Sequence, residues 1–542
     1  QSMTNGKAVT AGQDLTMEAG TKLTNGGALT AENGGVSLTA QKELLNKGKV
    51  QAGTSVTMKS NTSSITNQGD VEAKDGGVTM DAKTDLQNKG AVTGSQSVEL
   101  TSGQSMTNGK AVTAGQDLTM GAGTTLTNGG ALTATGGSVD LQSGEAMSNT
   151  GAVTAQQDVR MKAGTTLDNG GGLTATDGSI KLTAQKGLRQ NGSATTGSSI
   201  TMDNQQDGGL AVTGDVQSGT DATIKNQNGD VTMGGNVKAG RDLTASTSQG
   251  DITFDGKVAA GRNLDAQTRQ EGTITLRQDV TGGGDLKFAT NNGSIRFEGN
   301  DSQQAEDIHV TSKDGDVSMT ITGQGNMEDS HRQAGGDRAV VEAGSGSITL
   351  KHTGVGDVDL YSLLAGRKAG VEVEDGSLYL DTINGDLIAV YVKNPQKTTA
   401  IEHMAAGSRL SLSGSAINVA EITQRPGASS TLTLDVDGAD QGAPVESLTI
   451  GDIKAANGVR VPHLWVRNGA LKTSQGTLQL DKLFVLDKAT FSNGTMITDV
   501  FGTTPRPDER VHSVYWINTK LARPQENLSQ WLADAGRGGR WM

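Results

Sequence analysis

Apolar and polar residues alternate along this chain in short bursts of three to five positions, and the bursts come in threes. In residues 23–44 (LTNGGALTAENGGVSLTAQKEL), Leu23 and Asn25 flank Thr24, and Gly26 and Gly27 then turn the chain. Leu29 and Ala31 flank Thr30, and a second turn spans 32–35. Val36, Leu38 and Ala40 alternate with Ser37 and Thr39 before a polar corner leads to Leu44. Period-two alternation broken by Gly, Asn and Asp predicts three short strands joined by turns. Strand side chains point alternately to opposite faces, so the aliphatic residues share one side and Thr and Ser the other.

The same register recurs about every 21 residues. Asparagines stand at 5, 25, 46, 67, 88, 108, 128, 149, 169 and 191. Two places before them come Met3, Leu23, Leu44, Ile65, Leu86, Met106, Leu126, Met147 and Leu167. A second column runs Val9, Leu29, Val50, Val71, Val92, Val112, Leu132, Val153, Leu173, and a third runs Leu15, Val36, Val56, Val78, Val98, Leu118, Val139, Val159, Ile180. A fixed period of this length predicts a solenoid: each unit cannot bury its apolar face alone, and stacking makes one continuous core. Residues 1–31 return at 104–134 with only Glu18 replaced by Gly121 and Lys22 by Thr125. Five short repeats make up that offset, so the long repeat is a duplicated block of coils.

The marker asparagines Asn25, Asn46, Asn67, Asn88, Asn108, Asn128, Asn149 and Asn169 are expected to form a structural ladder. Their amides would bond the turn backbone and one another in adjoining coils, as in stacked strands. Varied outer residues (Thr, Lys, Glu, Arg, Asp) disfavour a flat threonine ice-binding face. Further on, glycines 229, 250, 272, 293 and 315 mark third-strand turns, in GDVTM, GDITF, GTITL, GSIRF and GDVSM, before the interval widens to Gly346 and Gly376. The polar, unpatterned segment 324–336 (QGNMEDSHRQAGG) is expected to be a loop thrown out of one coil. Loops on rigid scaffolds carry binding surfaces, so Asn326, Glu328, Asp329, His331 and Arg332 become candidate binding residues. Every proline, tryptophan and tyrosine lies after residue 360, and strand-like runs there (SLYLDTI, STLTLDV, GTLQLDKLFVL) predict wider, irregular coils to about 500. Leu528, Trp531 and Leu532 fall at helical spacing between Pro524 and Gly536, predicting a short helix over the last coil. Such a cap would blunt an open sheet edge.

Composition narrows the function classes. The chain has 542 residues, 77 of them glycine, with 3% aromatics and a net charge of −13. Low hydropathy points toward disorder, but the periodic aliphatic columns point the other way. There is no basic block, so nucleic acid is not an expected partner. The absence of cysteine suits an extracellular setting. No apolar run is long enough to span a membrane, and Gln1 falls in mid-repeat, as expected of a piece of a longer protein. The six histidines (309, 331, 352, 403, 463, 512) show no metal spacing. No nucleophile motif is present, and no cofactor is expected. Asp357, Asp359, Arg367 and Lys368 are the nearest thing to the stacked charges of a β-helical polysaccharide enzyme. A solvated charged face is the plainer reading, and no catalytic residue is assigned.

The order Leu-x-Asn-x-Gly, Val/Leu-Thr-Ala, Val/Leu-Thr-Met/Leu, seen in LLNKGKVQAGTSVTM (44–58) and LQNKGAVTGSQSVEL (86–100), resembles the repeats of filamentous haemagglutinin and other large exoproteins of two-partner secretion. The likeness covers residues 1–320 well and the rest loosely. It implies an all-β, right-handed parallel β-helix, exported through an outer-membrane secretion pore to the bacterial surface. On that basis the chain divides into a regular helix (1–320), an irregular one (321–500) and a cap (501–542). The implied role is a non-enzymatic, monomeric stalk of an adhesin, meeting a glycan or protein receptor on host or neighbouring cells. Alternatives are the stalk of a contact-dependent inhibition or leukotoxin-type exoprotein and a β-helical polysaccharide enzyme.

Overall fold

The computed structural model describes residues 1–297, 308–312, 316–321, 323–329, 339–439, 445–462, 464–475, 478–480, 483–492, 496–497, 515–517 and 520–521. Among them the chain is all-β, and every strand pairing is parallel. The fold is a parallel β-solenoid in two compact units, Gln1–Gly261 and Arg262–Met542. The predicted helix at 525–535 lies outside the described residues.

In the first unit each coil has three strands, such as Leu23–Asn25, Leu29–Ala31 and Val36–Ala40. Each pairs in register with its counterpart one repeat on: Leu23 with Leu44, Leu29 with Val50, Val36 with Val56. The short period of alternation decides the packing. Leu23, Leu29, Val36, Leu38 and Ala40 are fully buried or nearly so, while Thr24, Thr30, Ser37 and Thr39 are only half-buried. The same inward positions in successive coils form the aliphatic columns of a narrow core. Coil–coil contact buries them, and removing each such side chain from water contributes about 1.5–3 kcal/mol. The core admits few large residues; Phe254 enters only near the end of this unit.

One side of that core is polar. The marker asparagines are 0–1% exposed from Asn25 to Asn169. Each amide Nδ2 donates to the Oδ1 of the asparagine in the next coil at 2.5–2.8 Å. Its second proton goes to the carbonyl two residues ahead, as from Asn108 to Lys110 at 2.7 Å. Asn5 begins the ladder on Asn25 at 2.8 Å. The tenth member is Gln190 rather than Asn191: Asn169 pairs with Gln190, whose Oε1 accepts its amide at 2.9 Å. The step from Asn169 to Gln190 is an ordinary 21 residues, and the glutamine amide takes the place of the asparagine amide. Asn191 is left on the outside of the turn, bonded to Asp168 and Thr213.

After Gln190 the ladder column turns apolar, through Val212, Met233 and Phe254. Polar continuity passes instead to the end of the third strand. There Ala184 gives way to Asn204 and Asn226, joined amide to carbonyl at 2.8 Å, and then to Thr247. The core thus keeps one hydrogen-bonded spine and exchanges its location, which opens space for aromatic side chains.

In the second unit Phe288 and Phe297 are buried and the coils lengthen. Ile295 pairs with Met327, and Val280 with Val310, so about ten residues have been added per coil. This changes the alignment of the glycine-marked turns. Of the five motifs expected on third strands only GDVSM lies there, Val317 pairing with Leu286; Val231, Ile252, Ile274 and Ile295 continue the first-strand column of Leu188 and Leu210. The glycine column that includes Gly293 continues at Gly325, Gly356 and Gly376. Farther along, strands merge around corners: Leu378–Val392 and Thr398–Ser413 pair along most of their length, with a bulge at Gly385/Leu387.

Candidate functional site

Three of the five residues expected on a protruding loop lie instead in the wall of a coil. Met327–Asp329 is a strand paired with Ile295–Phe297, and Met327 is fully buried. The polar composition of 324–329 hides a single inward aliphatic residue, too little for a period-two signal. Asn326 staples neighbouring corners: its N–H donates to Ser294 Oγ at 2.9 Å, and its Oδ1 accepts from the Asp357 N–H at 3.0 Å. Glu328 faces outward, 2.7 Å from the Arg296 guanidinium. Asp329 stacks below Phe297 in an inward column and is 6% exposed. Its carboxylate accepts the Ala339 N–H at 2.8 Å. His331 and Arg332 lie outside the described residues.

The role of Asp329 can be measured. Asp329→Ala is expected to cost about 1–3 kcal/mol, because a buried N–H loses its acceptor. Asp329→Asn keeps an acceptor oxygen and should cost less. Hydrogen exchange of residues 339–343 reads the difference, and equal protection in both variants would remove Asp329 from this role.

The charged group 357–368 is likewise dispersed. Asp357 Oδ1 accepts the Ser377 N–H at 2.8 Å, a corner staple of the same kind as Asn326. Asp359 sits in a row with Glu328 and Tyr379, whereas Lys368 stacks on Leu387 in another. His352 is fully buried, with Nε2 2.7 Å from the Gly325 carbonyl and Nδ1 accepting from the Gly354 N–H at 3.2 Å. Among the described residues, no three His, Cys, Asp or Glu side chains converge as a metal site.

What the second unit does build is an open cleft of about 480 Å³ on the outer face of one sheet. Its floor is a row of small outward residues, Gly370, Ala389 and Ser411, between Thr349 and Asp435. One side carries Lys368; the other is the row Lys351, Glu372, Tyr391, Ser413. The charges on these walls compensate one another. Glu372 lies 3.3 Å from Lys351 and 2.9 Å from Lys393, and Arg409 lies 3.2 Å from Asp435. The hydrogen bond from Lys393 is the main reason the Glu372 carboxyl is held below the usual carboxylate range, and the Lys393 ammonium is raised in return. Tyr391 is pinned across the wall by its hydroxyl, which donates to the Ala439 carbonyl at 3.1 Å.

Of the cleft's residues only Lys368 stands out in the sequence, among charges with no role assigned. The available signal was the coincidence of small residues at matching outward positions of consecutive strands, which becomes readable only once the register of those long strands is known. Comparison of the chain with protein-family models, with curated proteins and with solved structures returns no match.

Proposed function

We propose that this chain is the non-enzymatic β-solenoid stalk of a secreted bacterial surface protein, an adhesin that holds a binding region near a host or neighbouring cell. One observation carries the reading: the asparagine ladder with its aliphatic columns. It ties each coil of the first unit to the next by the same contacts from Asn5 to Gln190. Such a stack resists shear through parallel backbone bonds and grows by duplication without disturbing its neighbours. At ~4.8 Å per coil it also extends far for its mass. Nothing in this arrangement prepares a transition state: the outward polar groups form columns of Thr and paired charges rather than a convergent constellation. In this reading the chain reaches the surface through an outer-membrane pore, acts as a monomer and needs no cofactor.

The test is adherence. Latex beads coated with the whole chain are expected to attach to cultured epithelial or bacterial cells severalfold more than albumin-coated beads, and soluble chain should compete. Attachment no better than albumin on any cell surface would sink the adhesin reading. Release of reducing ends from a polysaccharide panel would replace it with the enzymatic one.

A further inference from the structure

We infer that the cleft of the second unit is a binding site for an extended, uncharged oligosaccharide lying along the solenoid axis. This deepens the adhesin reading and rests on it for its biological sense, but the chemistry stands on the cleft itself. From Thr349 to Asp435 the floor crosses five paired strands, four steps of ~4.8 Å, or about 19 Å, which is room for a run of several sugar rings. The volume falls within the range of small-ligand sites.

Each class of linear ligand makes a different demand, and only one is met. A peptide binding in extended form needs a free strand edge for its main chain. Here the floor strands are paired on both sides, so their backbone bonds are already spent on the sheet. A polyanion needs a surplus of cations, whereas the lining sets Lys351 and Lys368 against Glu372, Asp435 and Asp437. A glycan needs closely set donors and acceptors for its hydroxyls and an apolar surface for its ring C–H face. The ion pairs supply the first at fixed positions: Lys351–Glu372–Lys393 on one wall and Asp435, held by Arg409, at the end of the floor. The pinned Tyr391 ring supplies the second, beside a floor with no side chain larger than serine between Gly370 and Ser411. Fixing the aromatic ring beforehand lowers the ordering cost of binding.

The experiment titrates the whole chain with cellohexaose, mannohexaose, maltohexaose and chitohexaose, and with hyaluronan and heparin hexasaccharides, by isothermal calorimetry. At least one neutral hexasaccharide is expected to bind saturably. Two variants fill the cleft from outside the core: Gly370→Phe, whose added Cβ would meet nothing closer than 3.6 Å, and Ala389→Trp. Each should weaken that binding by tenfold or more with unchanged thermal unfolding, while Lys59→Ala on the first unit should leave it intact. No binding by any neutral sugar, or equal binding in the filled variants, overturns the site. A charged hexasaccharide that binds more tightly and is lost in the same variants overturns the neutral assignment. Bead adherence separates the two proposals: adherence that survives cleft filling refutes the cleft as the receptor site, whereas sugar binding without adherence refutes the adhesin.

Discussion

Replacing Asn108 by leucine is expected to destabilise the surrounding coils of the first unit by about 2–4 kcal/mol. Three buried bonds fail together. The Asn88 amide loses its acceptor at 2.7 Å, the Asn128 oxygen loses its donor at 2.6 Å, and the Lys110 carbonyl loses the second Asn108 proton. A buried polar group left without a partner costs about 1–3 kcal/mol, and the apolar gain of leucine offsets part of the sum. Gln190→Leu is the matched control, because the column beyond it is already apolar at Val212. It removes the acceptor of the Asn169 amide, which still holds the Gly171 carbonyl at 2.6 Å, and the donor to the Gly192 carbonyl at 2.7 Å; with two bonds lost rather than three and no further ladder member beyond it, it should cost less. Because a solenoid unfolds locally, hydrogen exchange over residues 86–130 and 167–194 is the appropriate measure rather than a single melting temperature. Equal losses at the two positions would mean that the ladder is not cooperative and that each amide matters only to its own turn.

The ladder also shows where the sequence was informative. Leu-x-Asn at a regular interval implies an inward asparagine, because the residue two places after an inward leucine must face the same way. That logic accounts for Asn25 to Asn169 and does not extend to Asn191, which stands 22 residues on and three after Leu188. The inward position there is two after Leu188, which is Gln190. The glycine motifs are harder to place: all five read as third-strand turns, yet only GDVSM lies there, on Leu286, while GDVTM, GDITF, GTITL and GSIRF continue the first-strand column.

The segment 324–329 failed for a different reason. A strand of three residues with one buried side chain, Met327, carries too little alternation to outweigh its polar neighbours. Its identity comes from the coils above and below, since Ile295 and Val358 define the column that Met327 completes. Local sequence cannot supply that information. The cleft lay further out of reach, because Gly370, Ala389 and Ser411 are separated by 19 and 22 positions and meet only through registers that include a bulge at Gly385/Leu387. Regular coils make inward residues legible at a distance; irregular ones make the outward face a product of register.

Gly250→Ala tests whether coil spacing itself is set by glycine. Gly250 holds φ at +121°, a conformation that L side chains rarely adopt, and an added Cβ would lie 2.4 Å from the Gly229 carbonyl carbon and 2.5 Å from its oxygen. Backbone atoms cannot rotate away as a side chain would, so the coils must separate or the turn must refold. Gly427 isolates the conformational part of this cost. Its φ is +84°, but a Cβ there would meet nothing within 4 Å. Gly427→Ala should therefore carry only the strain of a positive φ, about 1 kcal/mol. Gly250→Ala should add a steric cost of about 1–3 kcal/mol to a similar strain. The expected signature is loss of exchange protection in residues 229–254, on both sides of the substituted turn, against a change confined to the turn around residue 427. If the two alanines prove equally mild, the coils can part at Gly250 without losing their ladder, and close backbone approach is a consequence of stacking rather than its condition.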